Sequence, residues 1–488
     1  MNLTAPIALI MLITFLAILA LSRFVALAGL VPDDTIALWA NAVAAAEGAM
    51  PIGRIVAAYP TLPFLATTLL EVFAPRGTLT PVLLAAGVLA LLSGAWLVSF
   101  RRAGLPVIAA VAASLLITFH PALLRAAIAG PADMIFAVFL FILGGALFSL
   151  RARSSAPEVM AVALALLGLS FSHPMGAALA CGIVPLLIFA VRPEMLASSA
   201  LNLVIALIFP TVFCVGAFAY VSWVFPGNGW SFLVSPAEGV AAWSAGFSQY
   251  FGFGVTGFIG LDAGILLAVT LLITAPLVPT AFAWVYRRRP LAAPMLVFAV
   301  MMIFAASITI TTGVFGDPAA LAVGPPILAA VVIARVPIVR ERLAVVFPLL
   351  VIGWLGGIAG LATVDLRGST NVRIALHGGG VDRERFDAIN LGIATVGYNE
   401  ILVDTFNAPA VVLGRGRAWG LLSPSDETFA LVVLFAKIDA PFIAVPNPQT
   451  GNGAQDRLNR AFPQLYRNGT PGYRLIYDNS NWRLFARD

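Results

Sequence analysis

Two aspartates stand side by side at Asp33–Asp34, just after the first long apolar run of the chain, in VPDDTIALWANAVAAAEG. Carboxylates placed there have two readings. Pro32 and Asp33 look like a helix start, Ile36, Trp39 and Val43 recur on one face, and Gly48 suits a stop. In the plain reading the acids cap that helix and complement its dipole. In the chemical reading one caps and the other faces a cavity as a general base. A second set follows: His120, Arg125 and Asp133 in FHPALLRAAIAGPADMIF, and His173 in LSFSHPMG. Ionisable groups at membrane depth are costly and face a cavity or a partner. An Arg125–Asp133 pair plus a helix cap is the structural alternative. Arg23 lies inside the first apolar run. It snorkels outward, pairs with an acid, or holds a lipid phosphate, for which a guanidinium is well suited.

The elements that must position these residues are membrane helices. Of 488 residues, 60% are apolar and 10% charged, whereas soluble proteins carry about 25% charged residues. That excludes a soluble enzyme, a disordered chain, a coiled coil and a disulfide scaffold. Twenty-eight basic against 23 acidic residues give a net charge of +5, with Lys437 the single lysine. A modest positive charge fits cytoplasmic loops, and no nucleic-acid partner is expected. Cys181 and Cys214 lie in apolar runs and read as buried space-fillers. Residues 365–488 hold 12 acidic and 13 basic residues, 25 of the 51 formal charges. A boundary near Asp365 therefore separates a transmembrane domain, 1–364, from a soluble domain, 365–488.

A crossing helix needs about 20 apolar residues. Such runs fall near 6–30, 80–100, 104–120, 131–150, 157–172, 174–191, 198–224, 263–286, 291–311, 317–337 and 343–363, about 11 transmembrane helices. The first has no charged leader or small-residue cleavage site and reads as a span, not a signal peptide. The segment 60–75 is shorter and carries Glu71, so it reads as a second interfacial helix beside the one at 33–48. With eleven crossings, 11 of the 15 basic residues before position 365 fall on one side, among them Arg101, Arg102, Arg151, Arg153, Arg335 and Arg340. By the positive-inside rule the N-terminus is cytoplasmic and the C-terminal domain extracytoplasmic. Eight of the 11 acids then lie outside, including Asp33, Asp34, Glu47, Glu71, Asp133 and Asp317. Acids contribute little to topology, so this enrichment suggests a site on the outer face. The outer loop 225–262 carries Trp230, Trp243 and Tyr250 among glycines, either as interfacial aromatics or as a mobile lid.

In the C-terminal domain, 399–404, 409–413 and 441–446 read as short buried strands. DRERFDAIN (382–390) and 423–437 read as helices, and 473–478 with 481–486 as a hairpin. This describes a small mixed α/β domain. GRGR at 414–417 reads as a turn more than a phosphate site. Nothing in the chain reads as a zinc cluster, P-loop, Rossmann turn or serine-hydrolase elbow, and the three histidines are far apart in sequence.

The order of these motifs resembles the GT-C superfamily of polyprenyl-phosphate-sugar-dependent glycosyltransferases. It is most similar to the branch with protein O-mannosyltransferases and the aminoarabinose transferase of lipid A. The resemblance covers roughly residues 6–192 and is carried by four features: Asp33–Asp34 after the first span with the Ala40…Gly48 spacing, YPTLPFL at 59–65, Arg125 followed by Asp133, and GLSFSHP at 168–174. The family often has Asp-Glu where this chain has Asp-Asp, and no motif matches beyond residue 192. The resemblance implies an inverting transferase, and the compact loops and Arg-for-Lys bias point to a bacterial inner membrane. Asp33 would be the base and Asp34 the runner-up. Arg125 or Arg23 would hold the donor phosphate, and Asp133, His173, His120 and Tyr59 would position substrate. No cofactor is implied beyond the lipid-linked sugar donor, and a divalent metal is left open. The partners would be that polyprenyl-phosphate donor, membrane lipids, and an envelope lipid, glycan or protein acceptor. The alternative is a non-catalytic transporter or envelope-assembly subunit, or a degenerate member of the same superfamily.

Overall fold

The computed structural model describes residues 4–27, 30–224, 229–230, 232–233, 258–363, 374, 376–377 and 382–488. Trp243, Tyr250 and the domain boundary near Asp365 lie outside the described residues. The chain is mostly helical. Among the described residues six helices are long and apolar enough to cross a membrane: Thr4–Ala26, Thr80–Arg102, Pro131–Arg153, Ser199–Val224, Arg289–Thr312 and Leu343–Gly360. The number rises to eight if two bent pairs each count as one crossing. These are Val107–Thr118 with Pro121–Ala129, bent by 53°, and Gly264–Thr274 with Leu277–Val285, bent by 88°. Each break falls just before a proline, Pro121 or Pro276, which lacks the N–H a continuing helix needs and biases the preceding residue away from helix. The other three expected spans are shorter apolar helices: Ala156–Ser172, Met175–Leu186 and Ala319–Arg335.

The chain forms two compact units that do not follow chain order. One comprises Met1–Arg23, Tyr59–Pro63 and Ala85–Arg373; the other comprises Phe24–Ala58, Phe64–Leu84 and Ile374–Asp488. The first unit is a helical bundle with a continuous apolar core that includes Trp96, Phe100, Phe136, Leu147, Phe298 and Val331. Small residues set its closest approaches. A side chain at Gly353 would meet the Thr274 carbonyl at 2.5 Å, and one at Gly357 would meet the His120 ring at 2.9 Å. The two glycines are four residues apart, so the helix Leu343–Thr363 presents one bare stripe to both helix breaks. Both cysteines are free; Cys214 is buried as expected, whereas Cys181 is exposed.

In the second unit a five-stranded sheet has the order β2-β1-β3-β5-β4. The strands are β1 Ile401–Leu402, β2 Leu421–Leu422, β3 Phe442–Pro446, β4 Tyr473–Asp478 and β5 Trp482–Arg487. β1 runs parallel to β2 and β3, while β5 is antiparallel to β3 and β4. The mixed sheet, the hairpin and the helices Arg383–Ala394 and Glu427–Phe435 follow the sequence reading. The run at 409–413 does not: it lies in the helix Pro409–Arg415, with Pro409 at its start, where a missing N–H costs nothing. Residues 33–46 form the helix that their pattern predicts. Its apolar face (Ile36, Ala40, Val43) is packed into one core with Ala388, Leu391, Val411 and Val412. The stripe expected to rest on lipid is filled by protein.

Candidate functional site

The acidic pair opens the helix Asp33–Ala46, in its first turn behind Pro32. Both side chains are exposed. Neither acid caps by accepting a hydrogen bond at the N-cap, a position that Pro32 occupies without a side-chain acceptor. Asp33 Oδ1 accepts from the Arg385 guanidinium at 2.6 Å, and the same guanidinium donates to the Val31 carbonyl at 2.6 Å. Arg385 thus fastens the start of this helix to the helix Arg383–Ala394. At the far end, Glu47 Oε2 accepts from the backbone N–H groups of Ala418 and Trp419, at 2.7 and 3.1 Å. Chemically, the arrangement offers an exposed carboxylate pair, of which Asp33 is ion-paired with Arg385.

Arg125 and Asp133 form the ion pair that the structural alternative expects, at 2.9 Å. Arg125 also donates to the Ala319 carbonyl at 2.9 Å and is almost fully buried. Asp133 sits in the first turn of Pro131–Arg153, behind Gly130, whose φ of +131° lets two proline-started helices abut. His120 caps the helix Pro121–Ala129: its Nδ1 accepts from Ala122 N–H at 3.3 Å. Its Nε2 lies 3.2 Å from the carbonyls of both Thr274 and Gly353. Carbonyls only accept, so Nε2 carries the proton and the ring is the neutral tautomer. His120 therefore ties both helix breaks and the glycine stripe together. His173 Nδ1 accepts from Met175 N–H at 3.1 Å, and its ring lies 5.5 Å from that of Phe136. The Tyr59 hydroxyl donates to the Ser170 carbonyl at 2.7 Å, and its ring meets Phe218 and Phe232 edge-on. Arg23 is exposed on the first helix.

These positions divide between the units. Arg125, Asp133, His120, His173, Tyr59 and Arg23 belong to the membrane unit, and Asp33 and Asp34 to the unit with the sheet. Other acids expected outside are also engaged. Asp317 caps a turn by accepting from Ala319 N–H at 2.8 Å, and Glu71 accepts from the Thr80 hydroxyl at 2.5 Å. GRGR is a turn, yet Arg415 is buried and donates to the carbonyls of Thr395 and Tyr398. Burial lowers the affinity of that guanidinium for its proton, to a pKa of about 10.

A polar centre missed by the sequence reading lies just past the carboxyl end of β1. Asp404, fully buried, accepts from Phe406 N–H, Asn407 Nδ2 and Arg457 N–H at 3.2, 2.9 and 3.0 Å. Asp456, also fully buried, caps the helix Arg457–Ala461 through Oδ1, while its Oδ2 has no hydrogen-bond partner among the described residues. Burial first, and the Asp404 charge after it, push the Asp456 carboxyl up to about 7. Arg54 and Arg457 lie over the Phe406 ring at 4.2 and 5.0 Å. The only signal in sequence was the pattern Asp-x-x-Asn at 404–407 and 456–459, a common capping pattern. Among the described residues no three His, Cys, Asp or Glu side chains gather as a metal site. Comparison with models of known protein families and with curated protein sequences finds no match.

Proposed function

We propose that this is an integral-membrane glycosyltransferase that moves a sugar from a polyprenyl-phosphate donor to an envelope lipid, glycan or protein. The observation that carries the reading is an exposed acidic pair opening a helix directly after a membrane-length apolar helix. An acceptor hydroxyl gives its proton to one carboxylate, its oxygen bonds to the anomeric carbon, and the bond to the lipid phosphate breaks with inversion. Arg385 holds Asp33 in place at 2.6 Å, and either acid of the pair can serve as the base. Arg23, exposed on the first helix, is the better candidate for the donor phosphate, because Arg125 is committed to Asp133 and Ala319.

In this reading the three shorter apolar helices also cross, giving eleven spans in a bacterial inner membrane. The N-terminus is cytoplasmic and residues 365–488 are periplasmic. The helix Thr61–Phe73 lies at the interface, a placement supported by its exposed Leu65, Leu69, Val72 and Phe73. Two broken helices favour one rival, a transporter, because discontinuous helices line many transport sites. His120, with both ring nitrogens bonded to backbone, weighs against it.

The test compares envelope glycans and lipids by mass spectrometry in a deletion strain carrying Asp34→Asn or Asp33→Asn. Loss of a general base lowers rate by about 10²–10⁴-fold. At least one of Asp33→Asn and Asp34→Asn is expected to abolish one sugar modification at normal protein level. Full modification in the Asp33→Asn/Asp34→Asn double variant would make the pair structural and end the transferase reading.

A further inference from the structure

A second cavity lies within the membrane unit. Its volume is about 620 Å³, and it opens between the last turn of Thr80–Arg102, the middle and C-terminal half of Pro131–Arg153, the first turns of Ala156–Ser172 and the end of Gly324–Arg335. That is within the size range of small-molecule and cofactor sites. Its lining includes Arg102, Arg335, Ser99 and Ser149 together with Phe141 and Ile142. Neither Arg102 nor Arg335 has a hydrogen-bond acceptor among the described residues. Glu158, the one acid in the lining, is engaged by Ser155 and by Arg153, at 3.3 Å from the latter, and makes no ion pair with Arg102 or Arg335. Gly145 lets one guanidinium lie against the helix backbone: a side chain there would meet Arg335 Nη2 at 3.1 Å.

We propose that this cavity binds the phosphate headgroup of an anionic phospholipid. Two guanidiniums lining one cavity offer bidentate donors to phosphate oxygens, with the hydroxyls of Ser99 and Ser149 in the same lining. The apolar side selects a lipid over a soluble anion. Ile142, Met160 and Leu164 are exposed on the same helices and provide a path for acyl chains. Both arginines sit in the last turn of their helices, which in the proposed topology is the cytoplasmic end, where basic pockets between membrane helices take acidic lipids. The site is independent of the transferase reading, since it uses neither the acidic pair nor any donor-binding residue.

The experiment is native mass spectrometry of the full chain in detergent. The probes are phosphatidylglycerol, phosphatidylcholine and glycerol 3-phosphate, added separately. The wild type is expected to retain one phosphatidylglycerol through delipidation. Arg102→Gln/Arg335→Gln should bind it roughly tenfold or more weakly, because two charges near the membrane surface are removed. Arg102→Lys/Arg335→Lys keeps the charge and should fall between, which separates headgroup recognition from a change in fold. Equal phosphatidylglycerol retention by wild type and the Gln variant would overturn the proposal. So would phosphatidylcholine bound as well as phosphatidylglycerol. Glycerol 3-phosphate binding as tight as the lipid would make the ligand a soluble phosphate and overturn the lipid assignment.

Discussion

Arginine meets aspartate in both units, under different conditions. Arg125 and Asp133 lie 2.9 Å apart with 1% and 13% of their side chains exposed. Arg385 and Asp33 lie closer, at 2.6 Å, yet are 13% and 85% exposed. Distance alone would rank the second pair as the stronger. Burial reverses the order, because water screens the exposed carboxylate and gives each partner an alternative. In the membrane unit neither ion has that alternative. Removing one leaves the other charged and unsolvated. The buried pair is thus a structural requirement, and the exposed pair can open and close with little change in stability.

The sharpest way to break this contrast is Asp133→Ala. It should cost about 3–5 kcal/mol by leaving Arg125 uncompensated, read as a collapse of yield and thermal midpoint in detergent. Arg125→Met/Asp133→Ala should recover much of that loss. A single variant as stable as the wild type would show that Arg125 finds other acceptors. The next effect is smaller and belongs to Asp456. Its carboxyl, pushed up to about 7 by burial and Asp404, stays protonated in the folded chain after the unfolded chain has lost its proton, near pH 4. Stability should therefore fall as pH rises between about 4 and 7, by up to roughly 1.4 kcal/mol per unit, and level off above. Asp456→Asn keeps a capping group and removes the charge. The expected outcome is a thermal midpoint nearly flat from about pH 4 to 7, where the wild type declines. An unchanged slope in the variant would place the titration elsewhere. The smallest effect is Asp33→Asn on stability. It should cost under about 1 kcal/mol, and that cost should vanish at high salt. A larger, salt-independent loss would make Asp33 structural and erase its contrast with Asp133.

Local signals in the sequence carry the elements well. Pro32 before Asp33, Asp382 before Arg383 and the turn at Asn479–Ser480 each mark an end that the structure has. The helix Pro409–Arg415 was missed because a five-residue apolar run fits a buried strand and a buried helix equally. Its proline is the one local cue. The bends at Pro121 and Pro276 were legible as prolines within apolar runs, but their angles depend on packing against Gly353 and Gly357. Partners were not legible. Asp33 and Arg385 are 352 residues apart, and no periodicity connects them. The pairing of Arg125 with Asp133, eight residues apart, could be read as an alternative because the chain is short enough there to define it.

The helix Asp33–Ala46 also constrains when the molecule can finish folding. Its apolar face, Ile36, Ala40 and Val43, is completed by residues from 388 onward, and Glu47 finds its N–H donors 371 and 372 residues later. Ribosomes add about 5–20 residues per second, so the wait is on the order of half a minute. During that interval the helix has an uncovered hydrophobic stripe, and closing so long a loop is slow in its own right. A stripe that in sequence suits a lipid surface is thus left without its protein partners until Leu391 and Val411 have been made.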